Sequence, residues 1–164
     1  IVLINQFICI IDYGYIYMDL KPEQILYKND KYILGDIGSI GKLNQHFIKG
    51  ELGGFVYNNL YLPPELINKN KYIDVSAAQK INSYQIGILL LDYLLYGKYS
   101  KKTNIYDLSK VINHKKSNIL LKNKLKDLDF SNQDRKIISE CLLLNSRKKP
   151  NLIKLLNILN FYII

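Results

Sequence analysis

The stretch YMDLKPEQIL, residues 17–26, is the most informative part of the sequence for both fold and function. It contains an aspartate, Asp19, then a lysine, Lys21, and then an amide, Gln24. The residues that follow, YKNDKYILGDIG, are typical of a hairpin that leads to a second aspartate, Asp36. Carboxylate and amide oxygens can hold magnesium, a lysine can contact a phosphate, and a second carboxylate can orient a hydroxyl. The order of these residues therefore suits a metal–phosphate site.

The length and composition are those of one globular domain or a large piece of one. The chain has 164 residues, of which 48% are hydrophobic and 23% charged. Its net charge is +9, but the lysines are spread in pairs at 101–102, 115–116 and 148–149, and no aromatic-basic recognition motif accompanies them. We therefore expect a solvated lysine-rich face and no nucleic-acid partner.

Two cysteines, Cys9 and Cys141, lie far apart in the sequence, each among apolar residues. This pattern predicts buried free thiols in a reducing compartment, and hence an intracellular, cytoplasmic protein. His46 and His114 lie far from both cysteines, so the spacing of a zinc site is missing.

Two apolar runs have to be distinguished from membrane spans. IVLINQFICIID is too short to cross a bilayer, and INSYQIGILLLDYLLYG contains Asn82, Gln85 and Asp92. A helix that is apolar nearly all round is also what the centre of a helical domain requires. We expect a core helix here and no membrane partner, and no basic region that would indicate a signal peptide precedes the first apolar run.

The pattern along the chain predicts a helix, then small strands, a long loop and further helices. We expect a buried helix over 1–12 and strands at 15–17, 25–28 and 31–35, the last two forming a hairpin around Asn29-Asp30. From Gly38 to Pro64 no period is visible, which indicates a long functional loop. Further helices are expected at roughly 77–96, 105–113, 132–144 and 151–161, with N-caps at Ser131 and Asn151.

Five blocks of the sequence, taken in order, resemble the C-terminal lobe of the eukaryotic protein kinase family. YMDLKPEQ is similar to the catalytic loop HRDLKPEN, and Asp36-Ile37-Gly38 is similar to the DFG triplet. The other three blocks resemble the APE end of the activation segment, the start of the large central helix and the DPxxRP stretch; they lie at residues 61–65, 82–87 and 145–150. The resemblance covers almost the whole chain.

The resemblance implies an α+β, mostly α, C-lobe in which helices surround a central buried helix and a small β-hairpin region carries the catalytic loop. It implies phosphoryl transfer from ATP, with Mg2+, to a serine or threonine hydroxyl of a protein. Asp19 would be the catalytic base and Lys21 would steady the transferred phosphate. Gln24 and Asp36 would hold the metal and the nucleotide phosphates. Glu65 would pair with Lys149 and tie the activation segment to the base of the lobe.

The sequence also departs from the family pattern. The glycine-rich loop and the lysine–glutamate pair of an N-terminal lobe do not precede Ile1, so we expect a partial kinase domain over 1–164 that cannot by itself hold ATP in the family's manner. Met18 replaces an arginine, and no Ser, Thr or Tyr lies between Ser39 and Tyr57, so control by activation-loop phosphorylation is not expected. Three further positions differ from the family: Phe55, Asn82 and Lys149 replace a threonine, an aspartate and an arginine.

Three interpretations remain open. The chain is an active divergent kinase without its N-lobe, a pseudokinase lobe that acts as a binding module, or a small-molecule kinase of the aminoglycoside-phosphotransferase type. The LKPE and YLPPE blocks argue against the third, since both are typical of protein kinases. A structural alternative exists for each site residue: Asp19 and Asp36 merely cap turns, and Gln24 hydrogen-bonds to loop backbone.

Overall fold

A computed structural model describes residues 1–47, 55–66, 70–94, 123, 125–143 and 145–160, and within these ranges the fold is α+β. The described helices are α1 (Val2–Asp12), α2 (Val75–Asp92), α3 (Asn132–Cys141) and α4 (Leu152–Asn160). The described strands are β1 (Tyr15–Tyr17), β2 (Ile25–Lys28), β3 (Lys31–Leu34), β4 (Ile40–Lys42), β5 (Gln45–Phe47) and β6 (Lys71–Ile73).

The predicted helix starts rest on side-chain caps that the structure contains. Ser131 accepts a hydrogen bond from the backbone N–H of Asp134 at 3.0 Å, and Asn151 accepts one from Lys154 at 2.8 Å. Helix α2 begins earlier than predicted, because Asp74 caps it by accepting the N–H of Ala77 at 2.7 Å. The helix expected over 132–144 ends at Cys141, and the one expected over 105–113 lies outside the described residues.

The described strands form three two-stranded antiparallel sheets, β1–β4, β2–β3 and β5–β6. The hairpin β2–β3 confirms the prediction, and its turn residues Asn29 and Asp30 both have positive φ, as such a turn requires. The expectation of an irregular loop over 38–64 is wrong in part, because β4 and β5 lie inside it, and β6 was not predicted. β4, β5 and β6 have three residues each, too few to establish an alternating pattern, and only their pairing identifies them.

Helix α2 is the centre of the core, as predicted. Residues 81–88, a run longer than two helical turns, are all buried, so every side of the helix is covered at this height. Helices α1, α3 and α4 and strand β6 pack around it. Gly87 permits the approach of α3, because a Cβ at this position would lie 2.5 Å from the Cβ of Cys141. No helix among the described residues is both long and apolar enough to span a bilayer.

The two cysteines have different surroundings. Cys141 is buried against α2, as predicted, and burial raises the pKa of its thiol to about 12. Cys9 is exposed, so the prediction that both thiols are buried is wrong. Helix α1 buries one face only, through Ile4, Phe7 and Ile11, and Cys9 lies outside that face.

Candidate active site

Two amide side chains of α2 hydrogen-bond to the backbone at the start of the loop that follows β1. Asn82 Nδ2 donates to the carbonyl oxygen of Tyr17 at 2.7 Å, and Gln85 Nε2 donates to that of Met18 at 2.6 Å. Asn82 also donates to Gln85 Oε1 at 2.7 Å, which joins the two amides. Both side chains are buried, so these bonds fix the backbone immediately before Asp19.

Asp19 is the buried carboxylate of the site, with 6% of its surface exposed. Lys21 Nζ donates to Asp19 Oδ2 at 3.0 Å, and Gln24 Nε2 lies 3.4 Å from the same oxygen. The hydrogen bond to Asp19 raises the pKa of the Lys21 ammonium, because the carboxylate favours its charged form. The structure therefore brings together the residues that the sequence placed on one loop.

Asp36 reaches the same place from the other side of the hairpin. It follows Gly35 directly, has a left-handed backbone conformation with φ 50° and ψ 63°, and is exposed. Gln24 Nε2 donates to Asp36 Oδ2 at 3.1 Å. One amide thus contacts both carboxylates, so Asp19 and Asp36 face the same side of the domain.

Two residues that the sequence did not single out position Asp36. Gln6 of α1 binds the outer edge of β3, where its Nε2 donates to the Tyr32 carbonyl at 2.7 Å and its Oε1 accepts the Leu34 N–H at 2.9 Å. The hydroxyl of Tyr17 donates to the Gly35 carbonyl at 3.0 Å, and burial, with the charges of Asp19 and Asp36, raises the pKa of Tyr17 to about 12. The hairpin that carries Asp36 is therefore fixed to both α1 and β1.

Lys149 and Glu65 form a buried ion pair on the core side of the site. Lys149 Nζ lies 2.7 Å and 2.8 Å from the two carboxylate oxygens of Glu65, and 4.6 Å from the centre of the Tyr84 ring. Burial lowers the pKa of Lys149, although the charge of Glu65 opposes this effect. The pairing that the resemblance implied is confirmed, and the single ammonium contacts both oxygens.

A second contact with α2 holds the segment 55–66. The hydroxyl of Tyr61 donates to Asp92 Oδ2 at 3.1 Å, and burial raises the pKa of both groups. The sequence pattern did not indicate this bond. A signal that could have suggested it is the acidic Asp92 directly after the apolar run 86–91 of α2.

The two positions that depart most from the resemblance are filled by apolar packing. Met18, in place of the arginine, is fully buried in the core and offers no cation to a phosphate group. Phe55, in place of the threonine, packs against Phe47 and lies directly over Gly41, where a Cβ would be 2.2 Å from the Phe55 ring. These side chains stabilise the loop region by burial rather than by charge.

The donor set at Asp36 does not fit magnesium in this arrangement. Within the described residues, no group of three or more His, Cys, Asp and Glu side chains could hold a metal ion. Magnesium needs oxygen ligands in octahedral geometry, whereas Gln24 directs its N–H groups towards Asp36 and Asp19. The expectation that Gln24 offers its amide oxygen to a metal beside Asp36 does not match this orientation.

Comparison with known families gives a match, and this match agrees with the α+β fold. Residues 6–161, nearly the whole chain, match the family described as protein kinase domain. The chain therefore belongs to the protein kinase domain family, and the resemblance seen in the sequence is confirmed at this level. No curated protein matches the chain.

Proposed function

We propose that this chain is the C-terminal lobe of a divergent protein serine/threonine kinase domain. Joined to an N-terminal lobe, it transfers the terminal phosphoryl group of ATP to a protein hydroxyl. The observation that carries the proposal is the contact of Asp19 with Lys21, 3.0 Å long, on a loop whose backbone is bound by Asn82 and Gln85. A fixed carboxylate beside a lysine is what positioning a hydroxyl against a phosphate requires.

In this proposal Asp19 and Lys21 have separate roles. Asp19 accepts a hydrogen bond from the substrate hydroxyl and orients its oxygen towards phosphorus. It takes the proton as the new O–P bond forms and the bond from the terminal phosphorus to the bridging oxygen breaks, which releases ADP. Lys21 places its positive charge beside the transferred phosphoryl group and reduces the charge that develops on it. The Asp19 side chain is buried, and the carbonyl oxygens of the two preceding residues accept hydrogen bonds from α2. Both features keep the direction of the carboxylate fixed.

ATP and Mg2+ enter this proposal from the family, whose members generally use both. Asp36 is the carboxylate that the resemblance assigns to the metal and the nucleotide phosphates. Gln24 presents an N–H group to this carboxylate and not an oxygen to a metal.

A catalytically impaired lobe that binds a protein partner is the second candidate. The observation that favours it is the orientation of Gln24 towards both carboxylates, together with the burial of Met18 where the family has a charged side chain. Under this alternative the same frame stabilises a binding surface and Asp19 has no chemical role.

The two candidates are separated by measuring phosphotransfer with Asp19→Asn. We expect the 164-residue chain alone to show none, and a longer protein that includes an N-terminal lobe to be active on peptides with serine or threonine. Asp19→Asn in that longer protein should abolish turnover with little change in ATP affinity, because Asp19 addresses the substrate.

Asp12→Asn, an exposed change at the end of α1, is the matched control and should leave turnover intact. Full activity of the Asp19→Asn variant would remove Asp19 from the mechanism. A folded longer protein that is silent on varied substrates would favour the binding module.

A further inference from the structure

The side-chain amide of Gln24 has an orientation that its surroundings determine. Its Nε2 lies 3.1 Å from Asp36 Oδ2 and 3.4 Å from Asp19 Oδ2. An ionised carboxylate can only accept hydrogen bonds, so the NH2 group and not the oxygen must face the two aspartates. Turning the amide over would bring its oxygen against two negative charges.

The backbone of Gln24 is tied to the same place. Gln24 ends the short 3-10 helix Pro22–Gln24, and its carbonyl oxygen accepts the N–H of Gly35 at 2.7 Å. Main chain and side chain of one residue therefore contact consecutive residues, Gly35 and Asp36. This double attachment holds the amide between the carboxylates without help from a ligand.

We infer that Gln24 is an internal bridge between Asp19 and Asp36, and that it weakens the binding of divalent metals at Asp36. A cation that enters must displace the hydrogen bond to Asp36, and Lys21 already supplies a positive charge to Asp19. The inference rests on the proposed function only for the choice of these carboxylates, since the geometry stands whether or not the site is active.

The bridge and the family's metal-ligand role for this position predict opposite effects of one substitution. If Gln24 competes with the cation, Gln24→Ala frees Asp36 and tightens metal binding. If Gln24 Oε1 is a ligand, the same substitution removes a ligand and weakens metal binding.

The test is a Mn2+ titration of the 164-residue chain, followed by water proton relaxation. We expect Gln24→Ala to raise the Mn2+ affinity by about fivefold, the size expected when one hydrogen bond to a carboxylate no longer competes with the cation. Gln45→Ala, at an exposed glutamine on β5, is the matched control and should leave the affinity unchanged. Equal, weaker or undetectable binding in Gln24→Ala overturns the inference.

A second measurement examines the bridge itself without any metal. In the presence of a chelator, the side-chain NH2 signals of Gln24 in a 15N–1H spectrum, assigned by their loss in Gln24→Ala, should shift strongly in Asp36→Asn. No shift would contradict the bridge. Loss of phosphotransfer in the longer protein does not alter either outcome, so failure of the proposed function and failure of this inference are distinguishable.

Discussion

The loop that carries Asp19 has one side that faces the core, here called the underside, and one side that faces solvent, here called the rim. The two sides are held in different ways. On the underside, Asn82, Gln85 and Lys149 are buried and their bonds are closed off from water. On the rim, Asp36 is exposed and the neighbouring Ile37 is 75% exposed. The comparison indicates that the position of the loop is set by the core, whereas the chemistry above it depends on a few accessible side chains. Substitutions on the underside should alter stability, and those on the rim should alter ligand binding.

The largest expected effect concerns the buried ion pair. Lys149→Met leaves the Glu65 carboxylate, only 11% exposed, without its partner. Removing one member of a buried pair destabilises a protein by about 3–5 kcal/mol. Urea denaturation followed by circular dichroism should show this loss in the free energy of unfolding.

Two variants sharpen that measurement. Lys148→Met, at the exposed neighbouring position, should change the free energy of unfolding by less than about 0.5 kcal/mol. Glu65→Gln combined with Lys149→Met should recover part of the loss, since no unpaired charge remains buried. If Lys149→Met lowered the free energy of unfolding no more than Lys148→Met does, the buried ion pair would not stabilise the underside of the loop.

A smaller effect is expected at Tyr17, which links the underside to the rim through Gly35. Tyr17→Phe removes the hydrogen bond to the Gly35 carbonyl and should cost about 1 kcal/mol at neutral pH. The pKa of Tyr17 is raised from 10.0 to about 12, first by burial, so the folded state favours the neutral phenol. This contribution to stability is fully present below pH 10 and is lost as the pH rises through about 12.

The free energy of unfolding of the wild type should therefore fall towards that of Tyr17→Phe over this alkaline window. The pKa values of Tyr61 and Tyr84 are also raised. Both residues are present in each protein, so their effects cancel in the difference between the two free energies of unfolding. Tyr13→Phe, at a position that is 78% exposed, should follow the wild type throughout. If the difference in the free energy of unfolding between wild type and Tyr17→Phe stayed constant across this window, the Tyr17 phenol would not be buried and hydrogen-bonded to Gly35 as described.

The sequence predicts the parts of this molecule that depend on local pattern. Helix α2 was predicted because a long apolar run needs cover on all sides, and the hairpin was predicted because Asn29-Asp30 suits a tight turn. Asp19 and Lys21 are two residues apart on one loop, so their proximity follows from spacing alone. The pairing of Glu65 with Lys149, which are distant in the sequence, came from the family resemblance.

Features that depend on how distant elements meet were not predicted. The contact of Gln6 with β3 requires the angle between α1 and the hairpin, which no periodicity contains. The apolar neighbours of Cys9 predict a buried position, yet this residue lies on the exposed side of α1. The orientation of the Gln24 amide follows from two carboxylates that come together only in the folded chain.

The smallest expected effect is at Gln6, on the outer edge of β3. Gln6→Ala removes the exposed hydrogen bond to the Tyr32 carbonyl and the partly buried one from the Leu34 N–H. Because neither bond is fully buried, the free energy of unfolding should fall by about 1 kcal/mol or less. The effect should be local: the Leu34 amide should exchange its hydrogen faster, while amides of α2 keep their protection. Asn5→Ala, at the exposed neighbouring position on α1, is the matched control and should leave Leu34 unchanged. If Gln6→Ala instead exposed α2 amides to the same extent, the rim and the underside would unfold as one unit and the distinction between them would fail.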